Sequence, residues 1–296
     1  MANNPMTLIA DSGSTKTAWC LTEDPQHVIY TQGINPFQQN EEEIGSILQH
    51  ELLPHLHTYL SKNRDIDAIH FYGAGCTPEK SPIVTQALRQ VISMTARISV
   101  ESDMLGAARG LCGRYPGIVA ILGTGSNSCY YDGRTLHPGI PALGYILGDE
   151  GSGAYIGKRL VGDILKQQLP EDICKVFFDE THETQANIIQ HVYRTPLPNR
   201  YLASLSPFCA RHREHPAIHA FLLDCFEQFF RRNIIPLTSQ LTIQDVHPSV
   251  LSTVHFIGSI AHYYRPELTE AATRCGFCVG TIIQSPLDGM VAFHGQ

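Results

Sequence analysis

The hydrophobic pattern at the start of the chain consists of short apolar runs separated by small or turn-forming residues. Runs at residues 7–11, 17–21 and 28–31 predict three strands, and Asp24-Pro25 predicts the turn before the third. Residues 41–61 repeat Ile and Leu at helical spacing, which predicts an amphipathic helix. The elements predicted next are a strand over 68–72, a helix over 80–95, a strand over 97–100 and a helix from Asp103. The order βββαβαβα is typical of an α/β domain.

The same pattern restarts after Pro116-Gly117. Apolar runs at 118–122 and 127–131 predict two strands, and Asp132-Gly133 predicts a hairpin into a third. The segments IADSGSTKTAWCL and VAILGTGSNSCYY share an apolar run, a turn of Gly, Ser or Thr, and a second apolar run, so they indicate an internal repeat. The elements predicted in the remainder are helices over most of 151–240, a strand over 254–257, a helix to about Arg274, a strand over 277–283 and a helix over 286–294.

Composition and charge exclude several classes of protein. Of the 296 residues, 43% are hydrophobic and 17% are charged. The net charge of −7 argues against the basic surface that binds nucleic acid. No apolar run approaches the ~20 residues that span a bilayer, and the first residues lack the regions of a signal peptide. Nine scattered cysteines, an odd number, argue against a disulfide framework. We therefore expect a cytoplasmic protein with reduced thiols, without nucleic-acid or membrane partners.

The turn of the first predicted hairpin suits two interpretations. It lacks the Walker A pattern GxxxxGK[ST], and taken alone it favours a simple hairpin turn rich in small residues. In a phosphate-binding loop, small residues would let backbone N–H groups approach phosphate oxygens. The residues suited to that task are Gly13, Ser14, Thr15 and Lys16. Asp11, at the end of the first strand, is placed to hold Mg²⁺ through water.

Two further strand–glycine junctions favour the phosphate-binding interpretation. Gly123-Thr124-Gly125 occupies the equivalent turn of the second repeat, and two such loops across a cleft would grip a triphosphate from both sides. Gly258-Ser259 follows a predicted strand and begins a helix, which suits a close approach by the adenosine part of a nucleotide. Together the three junctions predict a nucleotide site more specifically than any one of them.

Two acidic segments begin helices. Asp103 is either a helix N-cap or a general base that accepts a hydroxyl proton in phosphoryl transfer. Asp149 and Glu150 either complement a helix dipole or, because glycines flank them, lie close to a ligand.

Five segments, DSGSTKT, GINPF, ESDMLGA, GTGSN and GDEGS, resemble in order and spacing the N-acetylglucosamine kinase branch of the BadF/BadG/BcrA/BcrD ATPase family. That family lies in the actin-like ATPase superfamily, and the resemblance covers nearly the whole chain. It implies an α/β fold of two ribonuclease-H-like domains with an interdomain cleft. The implied domains are residues 1–114 with 285–296, the last helix returning to the first domain, and residues 115–284.

The resemblance also implies a function and a set of roles. The function is ATP- and Mg²⁺-dependent phosphorylation of an amino sugar, first of all N-acetylglucosamine at its 6-hydroxyl, with glucosamine and N-acetylmannosamine as open alternatives. Asp103 is the implied catalytic base, and a homodimer is the implied assembly. The residues that it implies at the sugar are Asn35, Asp103, Ser126, Asn127, Gly144 and Asp149. The residues that it implies at the nucleotide are Asp11, Gly13, Ser14, Thr15, Lys16, Gly123, Thr124, Gly125, Gly258 and Ser259, with Asp11 near the metal.

Two alternative functions stay open at this stage. A reductive activase of the same broad family would carry cysteine beside the GDEG segment, and residues 147–153 have none. A non-catalytic sugar or nucleotide sensor would not need its acids, yet Asp11, Asp103 and Asp149 are all present. The chain also departs from relatives that have Gly-Gly-Trp-Gly before GDEG, because Ala142-Leu143-Gly144 stands there and lacks the aromatic wall.

Three other features are expected to be structural. Cys275 and Cys278 form a CxxC that enters a strand and lacks the second pair of a zinc site. His212 and His215 lack a nearby acidic or cysteine partner pattern, so they are expected to be solvated loop residues and not metal ligands. The apolar stripe at helical spacing is expected to be core or a subunit interface, and it consists of Ile218, Phe221, Leu222, Cys225, Phe226, Phe229 and Phe230.

Overall fold

The chain forms two compact units in a computed structural model. The structure describes residues 6–13, 15–60, 65–137, 139–242 and 246–295, except for the side chains of 57–60 and 242. Unit 1 comprises Met1–Tyr115, Gly133–Thr135 and Ser285–Gln296, and unit 2 comprises Pro116–Asp132 and Leu136–Gln284.

Unit 1 is built on a mixed sheet. Its elements are β1 (Thr7–Ser12), β2 (Lys16–Leu21), β3 (Asp24–Gln32), α1 (Glu41–Ile47), α2 (Leu53–Leu60), β4 (Ala68–Gly73), α3 (Ser81–Val91), β5 (Arg97–Ser102) and α4 (Asp103–Cys112). The strand order is β3-β2-β1-β4-β5. β2 is antiparallel to both of its neighbours, whereas β4 is parallel to β1 and β5. A π turn, Leu48–Leu52, joins α1 to α2, and the predicted end of this helix at Ser61 lies outside the described residues.

The prediction of a turn at Asp24-Pro25 is wrong. The turn consists of Thr22 and Glu23, and Asp24 and Pro25 begin β3. A bulge shifts the pairing so that Leu21 faces Asp24, which closes the hairpin earlier than the sequence suggests. Pro25 is tolerated because β3 is an edge strand, where a missing N–H need not leave a ladder bond unmade.

The sheet of unit 1 is buried on both faces, because successive residues of a strand point to opposite sides. In β1, Leu8 and Ala10 pack in one apolar cluster, whereas Ile9 packs with Tyr72 and Met290 in another. Burial on both faces explains why β1 has an unbroken apolar run instead of an alternating one.

Unit 2 combines a second mixed sheet with a larger set of helices. Its elements are β6 (Gly117–Leu122), β7 (Ser126–Tyr131), β8 (Leu136–His137), α5 (Gly144–Leu147), α6 (Gly153–Leu165), α7 (Glu171–Thr181), α8 (Gln185–Arg194), α9 (Pro198–Arg211), α10 (Pro216–Phe229), α11 (Ile235–Thr242), α12 (Pro248–Leu251), β9 (Thr253–Ile257), α13 (Ser259–Tyr263), α14 (Arg265–Arg274) and β10 (Cys278–Ile283). A π turn, Phe230–Ile234, joins α10 to α11. The helix predicted from Ser259 to Arg274 is broken at Tyr264, because Pro266 disfavours helical continuity just before it.

The two sheets have the same topology. The sheet of unit 2 has the order β8-β7-β6-β9-β10, which matches β3-β2-β1-β4-β5 strand for strand. β6 is antiparallel to β7 and parallel to β9, as β1 is to β2 and β4. The internal repeat predicted from the two glycine-containing segments is therefore confirmed at the level of the fold.

The last helix, α15 (Leu287–His294), belongs to unit 1 and packs on α4. The two helices approach so closely that a Cβ atom on Gly289 would lie 2.0 Å from the carbonyl oxygen of Gly110. Leu287 and Met290 of α15 are buried with Ile9 and Tyr72 of the sheet. α15 therefore completes the second apolar face of unit 1.

The apolar stripe of α10 is core, since all of its members are buried in the main cluster of unit 2. Cys275 follows α14 and Cys278 begins β10, and the described residues contain no cluster of His, Cys, Asp or Glu suited to a metal ion. His212 and His215 lie in the loop between α9 and α10, as expected. The sequence did not indicate their acidic partners: His212 lies 2.7 Å from Glu180 and His215 lies 3.4 Å from Asp172, both of α7. Among the described helices, none has the length and apolar character of a membrane span.

Candidate functional site

Two carboxylates lie at the carboxyl edge of the sheet in unit 1. Asp11 is the penultimate residue of β1, and Asp103 begins α4 directly after β5. Ser12 pairs with Gly73, and Gly73 pairs with Ser102, so the carboxyl ends of β1, β4 and β5 are aligned. This register brings two acids that are distant in the sequence to one edge of the sheet.

The two acids influence each other. Burial and then the charge of Asp103 raise the pKa of Asp11 to about 7, against opposing effects of the Lys16 ammonium and a hydrogen bond with the Ser285 hydroxyl. Burial also raises the pKa of Asp103, against the hydrogen bond that Oδ1 accepts from the N–H of Met104 at 2.8 Å. Such a pair favours the uptake of a proton or the binding of a cation.

Asp103 is not the N-cap of α4. Ser102 is the N-cap, and its hydroxyl accepts a hydrogen bond from the N–H of Leu105 at 3.3 Å. Since Ser102 caps the helix, the carboxyl of Asp103 is not needed as a cap. This removes the structural alternative to a chemical role.

The first glycine-containing loop has a fixed base and an exposed tip. The N–H of Gly13 donates to the carbonyl oxygen of Lys16 at 3.0 Å. The hydroxyls of Ser12 and Thr17, in the strands on either side of the loop, form a hydrogen bond of 2.7 Å. Gly13, Thr15 and Lys16 are exposed, whereas Ser14 lies outside the described residues. The loop therefore presents its backbone to solvent from a rigid support.

Asn35 is held in a tight turn after β3. Its Oδ1 accepts a hydrogen bond from the N–H of Phe37 at 2.9 Å, and its own N–H donates to Oε1 of Gln39 at 2.8 Å. Within the described part of the chain, the Nδ2 group of Asn35 donates no hydrogen bond. The side chain is thus oriented through its oxygen and presents an amide donor.

The loop between β4 and α3 lies near two of the predicted sugar-binding residues, Asn35 and Asp103. Gly75 has φ of +78°, and a Cβ atom there would lie 2.3 Å from Oδ1 of Asn35, so only glycine fits. The next residue, Cys76, has its pKa raised to about 12, first by burial and then by the nearby charges of Asp103 and Glu101. The loop therefore packs on Asn35 through Gly75, and its Cys76 is near enough to Asp103 for the charge of Asp103 to affect its pKa.

The second glycine-containing loop belongs to unit 2 and packs on the start of α6. The N–H of Gly123 donates to the carbonyl oxygen of Gly125 at 3.0 Å, which makes a tight turn. The first N–H groups of α6 bond the loop from the other side: Gly153 donates to Gly123 at 2.8 Å, and Ala154 donates to Thr124 at 3.0 Å. The loop is thus fixed through its carbonyl oxygens.

Asp149 contacts this second loop directly. Its Oδ1 accepts a hydrogen bond from the N–H of Ser126 at 3.3 Å, and a Cβ atom on Gly125 would lie 3.0 Å from its Oδ2. Burial raises the pKa of Asp149, against the bond from Ser126. Asp149 has φ of +58°, an uncommon conformation for a residue other than glycine. Asn127 follows Ser126 in β7, and its Oδ1 accepts from the N–H of Ser128 at 2.8 Å.

Glu150 has a different environment from its neighbour. It is buried, and its Oε1 lies 2.7 Å from Nε of Arg232, while Oε2 accepts a hydrogen bond from Asn233 at 3.4 Å. Ser152, and neither acid, caps α6 through the N–H of Tyr155 at 3.1 Å. Glu150 therefore anchors the segment to the π turn after α10, which leaves Asp149 as the acid oriented toward the loop.

Gly258 joins the third predicted junction to the second loop. It has φ of +112°, and a Cβ atom there would lie 2.4 Å from the carbonyl oxygen of Leu122. Ser259 begins α13 immediately afterwards. Unit 2 thus gathers Gly123 to Asn127, Asp149 and Gly258-Ser259 into one region.

Comparison with solved structures identifies the family. A structure from Porphyromonas gingivalis, provisionally named an N-acetylglucosamine kinase, is 45% identical to this chain, covers 98% of each chain and superimposes with a TM-score of 0.89. The chain belongs to the N-acetylglucosamine kinase family. Its fold is that of the actin-like ATPases, with two mixed five-stranded sheets. No model of a protein family matches the sequence.

Two more distant proteins are similar to this member of the N-acetylglucosamine kinase family. A curated relative from Clostridium acetobutylicum, named N-acetylmuramic acid/N-acetylglucosamine kinase, is 27% identical over 210 residues, which are 66% of this chain and 67% of the relative. A glucokinase of the ROK family from Streptomyces griseus, solved with glucose and AMPPNP, is 14% identical, covers 97% of each chain and has a TM-score of 0.53. The second likeness shows the fold.

The structure places several residues beside the predicted site of this family member that the sequence analysis did not assign to it. Ser285 bonds Asp11 although it lies near the other end of the chain, and no local signal indicates that contact. Gly75 and Cys76 follow a predicted strand, so the glycines of that segment were a usable signal. Gly144 begins α5 with φ of +73°, and Leu143, in place of the tryptophan expected from the resemblance, is 55% exposed.

Proposed function

We propose that the chain transfers the γ-phosphoryl group of ATP to an amino sugar, N-acetylglucosamine at its 6-hydroxyl. The observation that carries the proposal is the Asp103 carboxyl, which lies at the carboxyl edge of the sheet, does not cap α4 because Ser102 does, and has its pKa raised by burial. Gly75, in the loop that follows the neighbouring strand β4, lies against Asn35. Membership in the N-acetylglucosamine kinase family supports the same acceptor.

In this proposal the two units are the two domains of the kinase, residues 1–114 with 285–296 and residues 115–284. The first domain supplies the catalytic base and the first phosphate loop. The second supplies the second phosphate loop and the contact with adenosine. The matching sheet topologies support this division, because each unit repeats the same supporting edge for a loop.

Nucleotide binding rests on the two loops. The exposed backbone of Gly13 and Thr15, with Ser14 between them and the charge of Lys16 beside them, would contact phosphate oxygens from the first loop. The second loop would contribute Gly123, Thr124 and Gly125, and Gly258 and Ser259 would lie against adenosine.

Asp11 is proposed to hold Mg²⁺ through water. Its oxygens are of the type that Mg²⁺ prefers, and a cation would compensate for the burial that raises the pKa of Asp11. When bound, Mg²⁺ neutralises charge on the phosphate oxygens.

Asp103 accepts the proton of the sugar hydroxyl in this mechanism. The hydroxyl oxygen bonds to the γ-phosphorus, the bond from that phosphorus to the bridging oxygen breaks, and ADP leaves with the electron pair. A buried carboxyl with a raised pKa is a stronger base than an exposed one. The groups proposed to orient the sugar are Asn35, Ser126, Asn127, Gly144 and Asp149.

The two alternatives find less support. An activase of this broad family would carry cysteine beside the GDEG segment, and residues 147–153 have none. A sensor has no need of two acids, Asp11 and Asp103, at one edge of the sheet with the charge of one raising the pKa of the other. The homodimer also stays a prediction, and light scattering would measure it.

The test is a coupled assay of ADP release over a panel of hexoses and amino sugars. We expect turnover with N-acetylglucosamine, and loss of that turnover in Asp103→Asn with ATP binding retained. The exposed Asp179 of α7 offers a matched control, since Asp179→Asn should leave turnover unchanged. Near-normal turnover in Asp103→Asn would remove Asp103 from the mechanism, and a flat response to every sugar would favour a sensor.

A further inference from the structure

The single turn of helix α5, which leads to Asp149, has few side-chain contacts of its own. No residue of α5 is buried, and Ile146 and Leu147 are 69% and 67% exposed. Tyr145 is half-buried against the main apolar cluster of unit 2. A short helix is unstable by itself in water, because forming its first turn is costly. The position of α5 therefore depends on contacts from other elements.

Lys158 of α6 supplies such a contact. Its Nζ atom donates a hydrogen bond of 2.6 Å to the carbonyl oxygen of Tyr145, and it lies 5.5 Å from the centre of the Tyr155 ring one turn earlier in α6. Among the residues that the structure describes, Lys158 forms no ion pair with a carboxylate. Because the donor is charged and partly buried, its bond to the backbone is stronger than one between neutral groups.

The same ammonium group acts on the other end of the segment. Burial lowers the pKa of Lys158, and the charges of Glu150 and Asp149 oppose that effect. In turn the charge of Lys158 opposes the burial that raises the pKa of Asp149. Lys158 therefore bonds to the start of the segment and stabilises the ionised acid at its end.

We infer that Lys158 is a positioning residue, which holds α5 so that Gly144 and Asp149 keep the arrangement that binds the acceptor sugar. The inference rests on the proposed function and extends it, because Lys158 acts through the backbone of Tyr145 and needs no contact with the sugar. Asp149 is fixed from another side by the N–H of Ser126 at 3.3 Å. Without Lys158, the segment would be held chiefly at that end.

The experiment measures the KM for N-acetylglucosamine, the KM for ATP and kcat in Lys158→Met, which keeps the length of the side chain and removes its donor and charge. We expect the KM for sugar to rise about tenfold, as loss of a hydrogen bond from a charged group predicts, and the other two values to stay within about twofold of the wild type. Lys158→Arg keeps the charge and should raise the KM for sugar less. Amide hydrogen exchange should be faster at residues 144–149 in Lys158→Met and unchanged over α6.

Lys166→Met, at the exposed end of the same helix, is the matched control. It should leave both KM values and the exchange at residues 144–149 unchanged. A KM for sugar within about twofold of the wild type in Lys158→Met would overturn the inference. Equal rises in both KM values, with faster exchange throughout α6, would also overturn it, because they would show a general loss of stability.

If Lys158→Met does not fold, Lys158→Arg decides the question. A rise in the KM for sugar alone would support the inference, and unchanged kinetics would overturn it. A wild-type protein that phosphorylates no sugar would instead overturn the proposed function itself. The exchange at residues 144–149 would still test whether Lys158 holds α5.

Discussion

The hydroxyl of Tyr72 lies 2.7 Å from Nε2 of His294, which fastens α15 to the sheet of unit 1 across 222 residues of sequence. The phenol oxygen also accepts a hydrogen bond from Arg109 at 2.6 Å. Nε2 of His294 can accept a hydrogen bond from the Tyr72 hydroxyl only while that nitrogen carries no proton. Protonation of His294 would break this arrangement.

The first prediction concerns pH. Burial and nearby cationic groups (Arg109 for both, Arg97 for His70, and His70 and Arg114 for His294) lower the pKa of His70 to about 4 and of His294 to about 3, from 6.5. The unfolded chain then binds more protons, so the free energy of unfolding should fall as pH drops from about 6.5 toward 4. Urea unfolding at pH 5 and 7.5 would measure this.

His294→Gln should separate this effect from the titration of carboxyl groups. We expect it to lower stability at pH 7.5 by about 1 kcal/mol, the net worth of a hydrogen bond, and to reduce the difference between pH 5 and 7.5. An unchanged pH difference would show that His294 is not responsible.

The second prediction concerns the crossing of α4 and α15. Gly289→Ala should destabilise the protein by about 1–3 kcal/mol, because the added carbon would meet the backbone of Gly110, which cannot rotate away. Gly162→Ala in α6 is the control: its Cβ would meet nothing within 4 Å, so the change should add about 0.5–1 kcal/mol through helix propensity. Thermal unfolding of both variants checks the opposite signs.

The third prediction separates adjacent acids. Asp149→Asn should raise the KM for sugar at least severalfold and leave the thermal midpoint nearly unchanged, since among the described residues its carboxylate accepts only the 3.3 Å hydrogen bond from the N–H of Ser126. Glu150→Gln should lower stability by about 1–2 kcal/mol, because it weakens the contact with the partly exposed Arg232. Kinetics and thermal unfolding on the two variants would contradict the assignment if the effects were exchanged.

The fourth prediction concerns Gly75. Gly75→Ala should raise the KM for sugar with little change in ATP affinity, because its Cβ would displace the Asn35 side chain. Gly276→Ala isolates the cost of backbone strain, since Gly276 has φ of +83° and its Cβ would meet nothing within 4 Å. Sugar KM should be normal in that control, and an equal rise in both variants would contradict a specific role for the contact with Asn35.

Features of the fold that depend on local pattern were predictable. The apolar runs of β1 and β6 are ended by small polar residues, and the stripe of α10 has the period of a helix, so burial follows from spacing alone. The turn before β3 was not predictable in this way, because its position depends on a bulge in the pairing of β3 with β2. The same limit explains the acid partners of His212 and His215, which come from α7.

The sequence by itself determined the order of the elements, the internal repeat and the residues with suitable chemistry, since these follow from periodicity and residue type. Only the tertiary structure decided that Ser102 caps α4 while Asp103 does not, that Glu150 pairs with Arg232 while Asp149 faces the second loop, and that Gly75 lies against Asn35. The physical reason is that these roles depend on strand register and on close backbone contacts at glycine. Such contacts join residues whose separation along the chain carries no local signal.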